Sequence, residues 1–204
     1  MRKIVVSEFL SLDGVMESPD QWHFQFWHEE MGKYKFDELF ASDALLLGRV
    51  TYQGFAAAWP SRSDESVIAD IAEGGGSAKV SEVDGFADRM NNLPKYVVST
   101  SLEKVEWSNS TLIKENVAEE IIKLKQQPGQ NILVAGSANL IRTLMQHDLI
   151  DEYHLMIHPV VVGRGKHLFQ DESVTQVLKL VETKTFGSGV IVLIYHSTNK
   201  ETQK

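Results

Sequence analysis

The chain has 204 residues, 43% hydrophobic and 24% charged, enough for one soluble globular domain that buries about 70% of its unfolded surface. A net charge of −8 at pH 7 argues against a nucleic-acid partner, because the non-specific part of that affinity comes from Lys and Arg facing phosphates. Cysteine is absent, which excludes disulfides, thiolate catalysis and Cys-ligated metal centres, and no apolar run approaches the about 18 residues that would signal a membrane span.

The chain opens on an apolar strand, residues 3–10 (KIVVSEFL), too quickly broken by Ser7 and Glu8 to be a signal peptide, so a cytoplasmic location is expected. Asp13-Gly14 follows as a loop that could hold a carboxylate at a sheet edge. Its plain alternative is a common turn pair. Residues 22–40 read as one helix with aromatics on more than one face, either deeply buried or lining a pocket. A strand at 43–50 runs into Gly48, Arg49 and Thr51, and a helix is expected over 51–58. The stretch 60–94 reads as an insertion holding helices at 64–73 and 83–92, with a surface loop at 73–80 (EGGGSAKV).

Strands are expected next at 95–100 and 111–113, a helix at 117–126 capped by Asn116, and a strand at 131–136. Ser137 should cap a helix over 138–147, whose Leu140, Ile141, Leu144 and Met145 share one face. Strands at 152–163, 175–186 and 190–196 complete the pattern, the last two forming a hairpin that turns at Gly187-Ser188-Gly189. The tail, 197–204, is polar and expected to fray. Alternating strands and helices with an antiparallel end give a single three-layer α/β domain over 1–204, with a mixed, mostly parallel sheet.

Three strand ends look alike: Gly48-Arg49-Val50-Thr51, Ser99-Thr100-Ser101, and Ala135-Gly136-Ser137-Ala138. In open α/β sheets ligands sit beyond the carboxyl ends of strands, where helix N-termini offer free N–H groups to anions. Taken singly, each is better explained as a turn. Together they point to a phosphorylated cofactor, and hydroxyls with an arginine nearby suit a 2′-phosphate. GRGKHL (163–168) lacks the third glycine and the helix of a dinucleotide fingerprint, so Gly163 and Gly165 read as a kink. His154 and His158 share a strand face about 13 Å apart, too far for one ion, and His23 and His28 are poorly spaced for a helix, so no metal site is expected.

The segments MRKIVVSEFLSLDGVME, LLLGRVTYQGF, KYVVSTSL, NILVAGSANLIRTLM and IDEYHLMIHPVVVGRGKHLF, in this order, resemble the dihydrofolate-reductase-like superfamily. More narrowly, the chain is similar over about 3–196 to the reductase domain of bifunctional riboflavin-biosynthesis proteins. The resemblance implies a fold of about eight strands with flanking helices, NADPH as cofactor, a small-molecule substrate and a homodimer. It assigns Gly48, Arg49 and Thr51 to the cofactor phosphates, and Ser99, Thr100 and Ser101 to the neighbourhood of the 2′-phosphate. Ala135, Gly136, Ser137 and Ala138 fall under the pyrophosphate. Asp13, as the catalytic candidate, and Gly14 fall beside nicotinamide and substrate. The loop from Pro159 to Phe169, with Gly163 and Gly165, closes the substrate side, and Trp22 and Phe26 are candidate pocket walls. The implied substrate is a phosphoribosylamino-uracil of riboflavin biosynthesis. Dihydrofolate, or a non-catalytic nucleotide-binding role, are the alternatives. The helix after Trp22 offers Glu29, Glu30 and Asp37 as acids, none an unambiguous match to the folate enzyme's proton-supporting residue.

Overall fold

A computed structural model describes residues 1–77, 84–169 and 175–198. Eight strands form one sheet: β1 (Ile4–Ser11), β2 (Ser42–Gly48), β3 (Lys95–Val98), β4 (Ser110–Ile113), β5 (Asn131–Val134), β6 (Glu152–His158), β7 (Leu178–Thr185) and β8 (Ile191–Ser197). Their spatial order is β4-β3-β2-β5-β1-β6-β8-β7. All neighbours run parallel except β8, which is antiparallel to both β6 and β7. Described helices are α1 (Glu29–Phe40), α2 (Arg49–Ala58), α3 (Asp64–Glu73), α4 (Phe86–Asn92), α5 (Val117–Gln126) and α6 (Ala138–Gln146). None is long and apolar enough to cross a membrane.

The central strands are apolar at consecutive positions because both sheet faces are covered. Ile4, Val6, Leu46, Ile132 and Val134 pack under α5 and α6, whose Ile121, Leu140, Ile141 and Leu144 face them. The alternate residues Val5, Leu45, Leu47 and Leu133 point the other way, toward Leu39 of α1, Tyr52 of α2 and Met90 of α4. The expected apolar face of α6 is thus buried. The hairpin forms as expected, closed by Gly189 N–H donating to the Phe186 carbonyl at 2.9 Å.

Several expectations need correction. Residues 22–40 are not one helix. Pro19 starts a 3₁₀ turn, a second covers Phe24–Phe26, and Trp27 and His28 are extended before α1 begins at Glu29. The His28 ring caps this helix by accepting from the Glu30 N–H at 3.2 Å. Asn116 and Ser137 do occupy N-cap positions, but neither side chain caps its helix. The strand expected over 152–163 stops at His158, because from Val160 the chain turns to bond Leu12 instead. The outermost strand β7 is shorter than expected and mostly exposed. Parts of the 73–80 loop, of the 83–92 helix and of the tail lie outside the described residues.

Candidate functional site

The sheet opens at one place. β1 pairs with β5 only as far as Val6 opposite Val134, yet continues beside β6 to Ser11 opposite His158. Past Val134 the chain leaves the sheet, so the second half of β1 lacks a neighbour on that side. A cavity of about 730 Å³ occupies this cleft and extends beneath α1, α2 and α3.

On the β5 side, the ends of β5, β2 and β3 are adjacent, with Leu46 opposite Val134 and Gly48 opposite Val98. The three strand ends singled out in the sequence are therefore neighbours along one edge. They interlock. Gly48 N–H donates to the Gly136 carbonyl at 3.1 Å. A Cβ on Gly48 would lie 2.3 Å from Ser137 Oγ, and one on Gly136 would lie 2.7 Å from Thr51 Oγ1. Gly136 has φ +84°, and its peptide bond to Ser137 is cis. Only backbone without side chains fits this junction.

Two helices start there, α2 and α6. Their N-caps, Gly48 and Ser137, make no side-chain cap bond, and neither helix has an acid in its first turn. Every other described α-helix has at least one. The first turns of α2 and α6 thus carry positive partial charge with no acid of their own, the setting that favours an anion. Arg49 stands exposed at the start of α2, donating to Gln53 Oε1 at 3.2 Å. Thr51, Ala135, Gly136, Ser137 and Ala138 line the cavity. Gly48, Arg49, Ser99, Thr100 and Ser101 lie along the same edge without lining it. Ser99 Oγ accepts from the N–H groups of Ser101 and Leu102, fixing that loop, while Thr100 and Ser101 are exposed. These residues fit a dinucleotide phosphate: backbone donors, hydroxyls and one exposed guanidinium.

Across the gap from Gly136 stands Glu8, buried at 8% exposure. Its Oε1 accepts from the Gly136 N–H at 2.5 Å. Burial raises this carboxyl to about 8, against the lowering influence of that hydrogen bond and of Lys35. At neutral pH it is mainly a carboxylic acid, with Oε2 left for the proton. Next to it Ser7 and Lys35 also line the cavity. Lys35 Nζ donates to Ser7 Oγ at 2.8 Å and is paired with Glu38, to which Ser7 also donates at 2.7 Å. Burial alone would raise the Glu38 carboxyl, but Lys35 and His154 hold it at about 2. His154 lies between Glu38, at 2.9 Å, and Glu152, at 3.3 Å. Desolvation works against its charge, yet the two carboxylates raise its pKa.

Six aromatic residues line the cavity, Phe9, Phe24, Trp27, Phe55, Trp59 and Phe86, with the charged Glu17, Asp20, Arg62, Asp70 and Lys166 among them. Trp22 and Phe26, the expected wall, stand behind them, Trp22 edge-on to His158 at 5.3 Å and Phe26 at 5.8 Å. The 3₁₀ turns rotate the segment so that His23, Phe24 and Trp27 face the cavity instead. His23 is buried and its pKa is lowered to about 3, chiefly by desolvation and then by His158 and Lys35, so it stays neutral.

Asp13 lies outside the cavity lining. Its carboxylate accepts from Ser11 Oγ at 2.6 Å, Val162 N–H at 3.1 Å and Gly163 N–H at 2.7 Å, and these bonds, led by Ser11, hold it at about 2. Gly14, Pro159, Gly163 and Gly165 sit in the same paired loops rather than on the cavity wall. A Cβ on Gly165 would lie 2.8 Å from Val15 Cγ1. From that loop, Lys166 is the residue that reaches the cavity. Glu29 and Glu30 are exposed at the start of α1, and Asp37 is spent on Lys33.

Sequence reasoning missed Glu8, Lys35 and Glu38. A signal existed: an acid inside a strand expected to be covered on both faces must be protonated or paired. Among the described residues no group of three or more His, Asp or Glu side chains is placed to hold a metal ion.

Comparison with known proteins shows the family and the fold. The RibD C-terminal domain matches residues 2–192. The uncharacterized protein YyaP of Bacillus subtilis is 32% identical over 196 residues, covering 96% of this chain and 95% of the relative. YwjB of the same organism is 30% identical over 192 residues, covering 93% and 95%. A putative riboflavin biosynthesis protein from Shewanella superimposes with TM-score 0.71 at 19% identity, covering 97% of this chain and 99% of that one. Enterococcus faecalis dihydrofolate reductase complexed with NADP(H) superimposes at 0.56 with 14% identity, covering 97% of each chain, so the fold is dihydrofolate-reductase-like.

Proposed function

The chain belongs to the RibD C-terminal domain family, and from that premise we propose that it is an NADPH-dependent reductase of a small-molecule substrate. The observation that carries this reading is the pair of uncapped helix starts without first-turn acids, α2 and α6, meeting beside a cavity that the buried Glu8, bonded to the Gly136 N–H, also lines. In this reading the first turns of α2 and α6, with Thr51 and Ser137, hold the pyrophosphate. Arg49 and the Ser99–Ser101 loop receive the 2′-phosphate. NADPH bound there supplies hydride from C4 of its nicotinamide ring.

The chain's own residues do the rest. Glu8 gives the proton that accompanies the hydride: its O–H bond breaks as a new bond forms to a heteroatom of the substrate, completing a two-electron reduction. The carboxylate left behind is stabilised by the Gly136 N–H and the charge of Lys35. The aromatic wall excludes water and aligns the substrate against the cofactor. A homodimer belongs to this reading, supported by the apolar side chains exposed on and beside the outer hairpin, Val177, Leu180, Val181 and Ile191.

Titrating NADPH into the protein and following energy transfer from tryptophan to the nicotinamide tests this, since Trp27 and Trp59 line the cavity. Saturable transfer that NADP⁺ displaces is expected. Absence of any transfer would overturn the proposal.

A further inference from the structure

The face that α1 turns to the sheet carries polar and charged groups where an apolar stripe would ordinarily pack. Tyr34, Lys35 and Glu38 lie there against Ser7 of β1 and His154 of β6, which stand opposite each other in the register. The side chains of Lys35, Glu38, His154 and Glu152 are only 5% to 16% exposed. Replacing buried ions by packed apolar residues is often neutral or stabilising, so stability alone does not account for this row.

The row is continuous from cavity to surface. Lys35 lines the cavity and pairs with Glu38, whose Oε1 lies 2.9 Å from His154 Nδ1. His154 Nε2 lies 3.3 Å from Glu152 Oε2. Glu152 then meets Lys3 Nζ at 2.6 Å and His196 Nε2 at 3.3 Å, side chains that are 55% and 44% exposed. Lys3 precedes β1 and Glu152 opens β6, so the outer end lies at the amino ends of these strands. The helix starts of α2 and α6 lie at the other edge, beyond the carboxyl ends of β2 and β5.

We propose that Lys35, Glu38, His154 and Glu152 form a proton path that recharges Glu8 from the far edge of the sheet while the cavity is occupied. The proposal rests on the reading of Glu8 as the acid of the reduction. Each transfer breaks one N–H or O–H bond and forms another, and no electron moves. The Lys35 ammonium gives a proton to the Glu8 carboxylate by way of water in the cavity they share, leaving an amine. His154 gives its Nδ1 proton to Glu38, whose carboxyl turns and passes it to that amine. His154 takes a replacement at Nε2 from solvent through Glu152. A ring that faces a carboxylate with each nitrogen can accept on one side and donate on the other.

The test follows the carboxyl proton of Glu8 by infrared spectroscopy. Its C=O stretch, identified as the band missing from Glu8→Gln, shifts when the proton is replaced by deuterium. NADP⁺-saturated protein is mixed into D₂O at about pH 6, and the shift is timed. His154→Gln keeps a polar side chain that carries no transferable proton, and should slow the exchange about tenfold or more. Glu152→Gln should slow it in the same way, and stands in if His154→Gln does not fold. Tyr34→Phe removes the 3.0 Å contact to the same ring but no link of the path, and should leave the rate within about twofold. Unchanged exchange in the folded His154→Gln or Glu152→Gln protein, or equal slowing in Tyr34→Phe, overturns the path while leaving the cofactor reading intact. Failure of NADP⁺ to bind, or absence of a Glu8 C=O band, overturns the reduction reading together with the path.

Discussion

Glu8 Oε1 accepts a hydrogen bond from the Gly136 N–H at 2.5 Å, bridging β1 and the end of β5 where their pairing has stopped. One contact thus ties the acid side of the cleft to the turn that opens α6. It also leaves the second carboxyl oxygen for a proton. The proposed proton transfer requires that acid to be neutral.

A Glu8→Gln variant tests the protonation through stability. The folded carboxyl titrates near 8 and its ordinary value is 4.5, so the folded state binds the proton more tightly. Its contribution is fully present below about pH 4.5 and is lost as pH rises towards about 8, with a slope of at most about 1.4 kcal/mol per pH unit. Urea unfolding followed from about pH 5 to 8 should show the wild type losing stability relative to Glu8→Gln. Parallel curves would mean that Glu8 is already ionised.

The glycine junction gives a steric prediction. In Gly48→Ala the new methyl meets Ser137 Oγ at 2.3 Å and Ser137 N at 3.0 Å, so the start of α6 must move. The expected loss is about 1–3 kcal/mol in urea unfolding, with NADPH affinity reduced about tenfold or more by the lost helix-start contacts. Gly54→Ala, also on α2 but facing open space, should instead stabilise the protein by about 0.5–1 kcal/mol.

The buried pair below the cavity predicts a coupled effect. Lys35→Met leaves the Glu38 carboxylate buried beside Ser7 and His154 without its main cation. A loss of about 3–5 kcal/mol in urea unfolding is expected. Lys35→Met/Glu38→Gln should recover a large part of it, because the stranded charge is gone. No recovery would show that packing, not charge, governs this site.

Asp13→Ala separates a loop clamp from a catalytic acid. Its carboxylate binds the N–H groups of Val162 and Gly163, so amide exchange at those two residues should rise about tenfold or more, measuring local opening. NADPH affinity should stay within about twofold of wild type. Unchanged exchange would contradict the clamp.

Much of this molecule is legible in its sequence, and the boundary is physical. Continuous apolar runs such as ALLL and NILV announce strands covered on both faces, and the parallel order follows from the helices between them. The proposed cofactor edge is legible because Gly48, Ser99 and Gly136 each follow such a run. The aromatic half of the cavity is not. Whether Trp22 or Trp27 faces the cavity depends on two 3₁₀ turns that a helical period does not anticipate. Asp13 looks chemical in sequence, and its loop partners are 149 and 150 residues away. Glu8 looks like an interruption of a strand until burial beside Gly136 gives it a proton.

Isothermal titration of the wild type and of Arg49→Ala with NADPH and NADH decides whether the strand-end edge beside Gly48 receives a 2′-phosphorylated dinucleotide. The wild type is expected to bind NADPH about tenfold or more tightly than NADH, and Arg49→Ala, an exposed substitution, to erase most of that difference while leaving NADH binding nearly unchanged. No heat with either nucleotide, or a preference for NADPH that survives Arg49→Ala in full, would contradict that assignment.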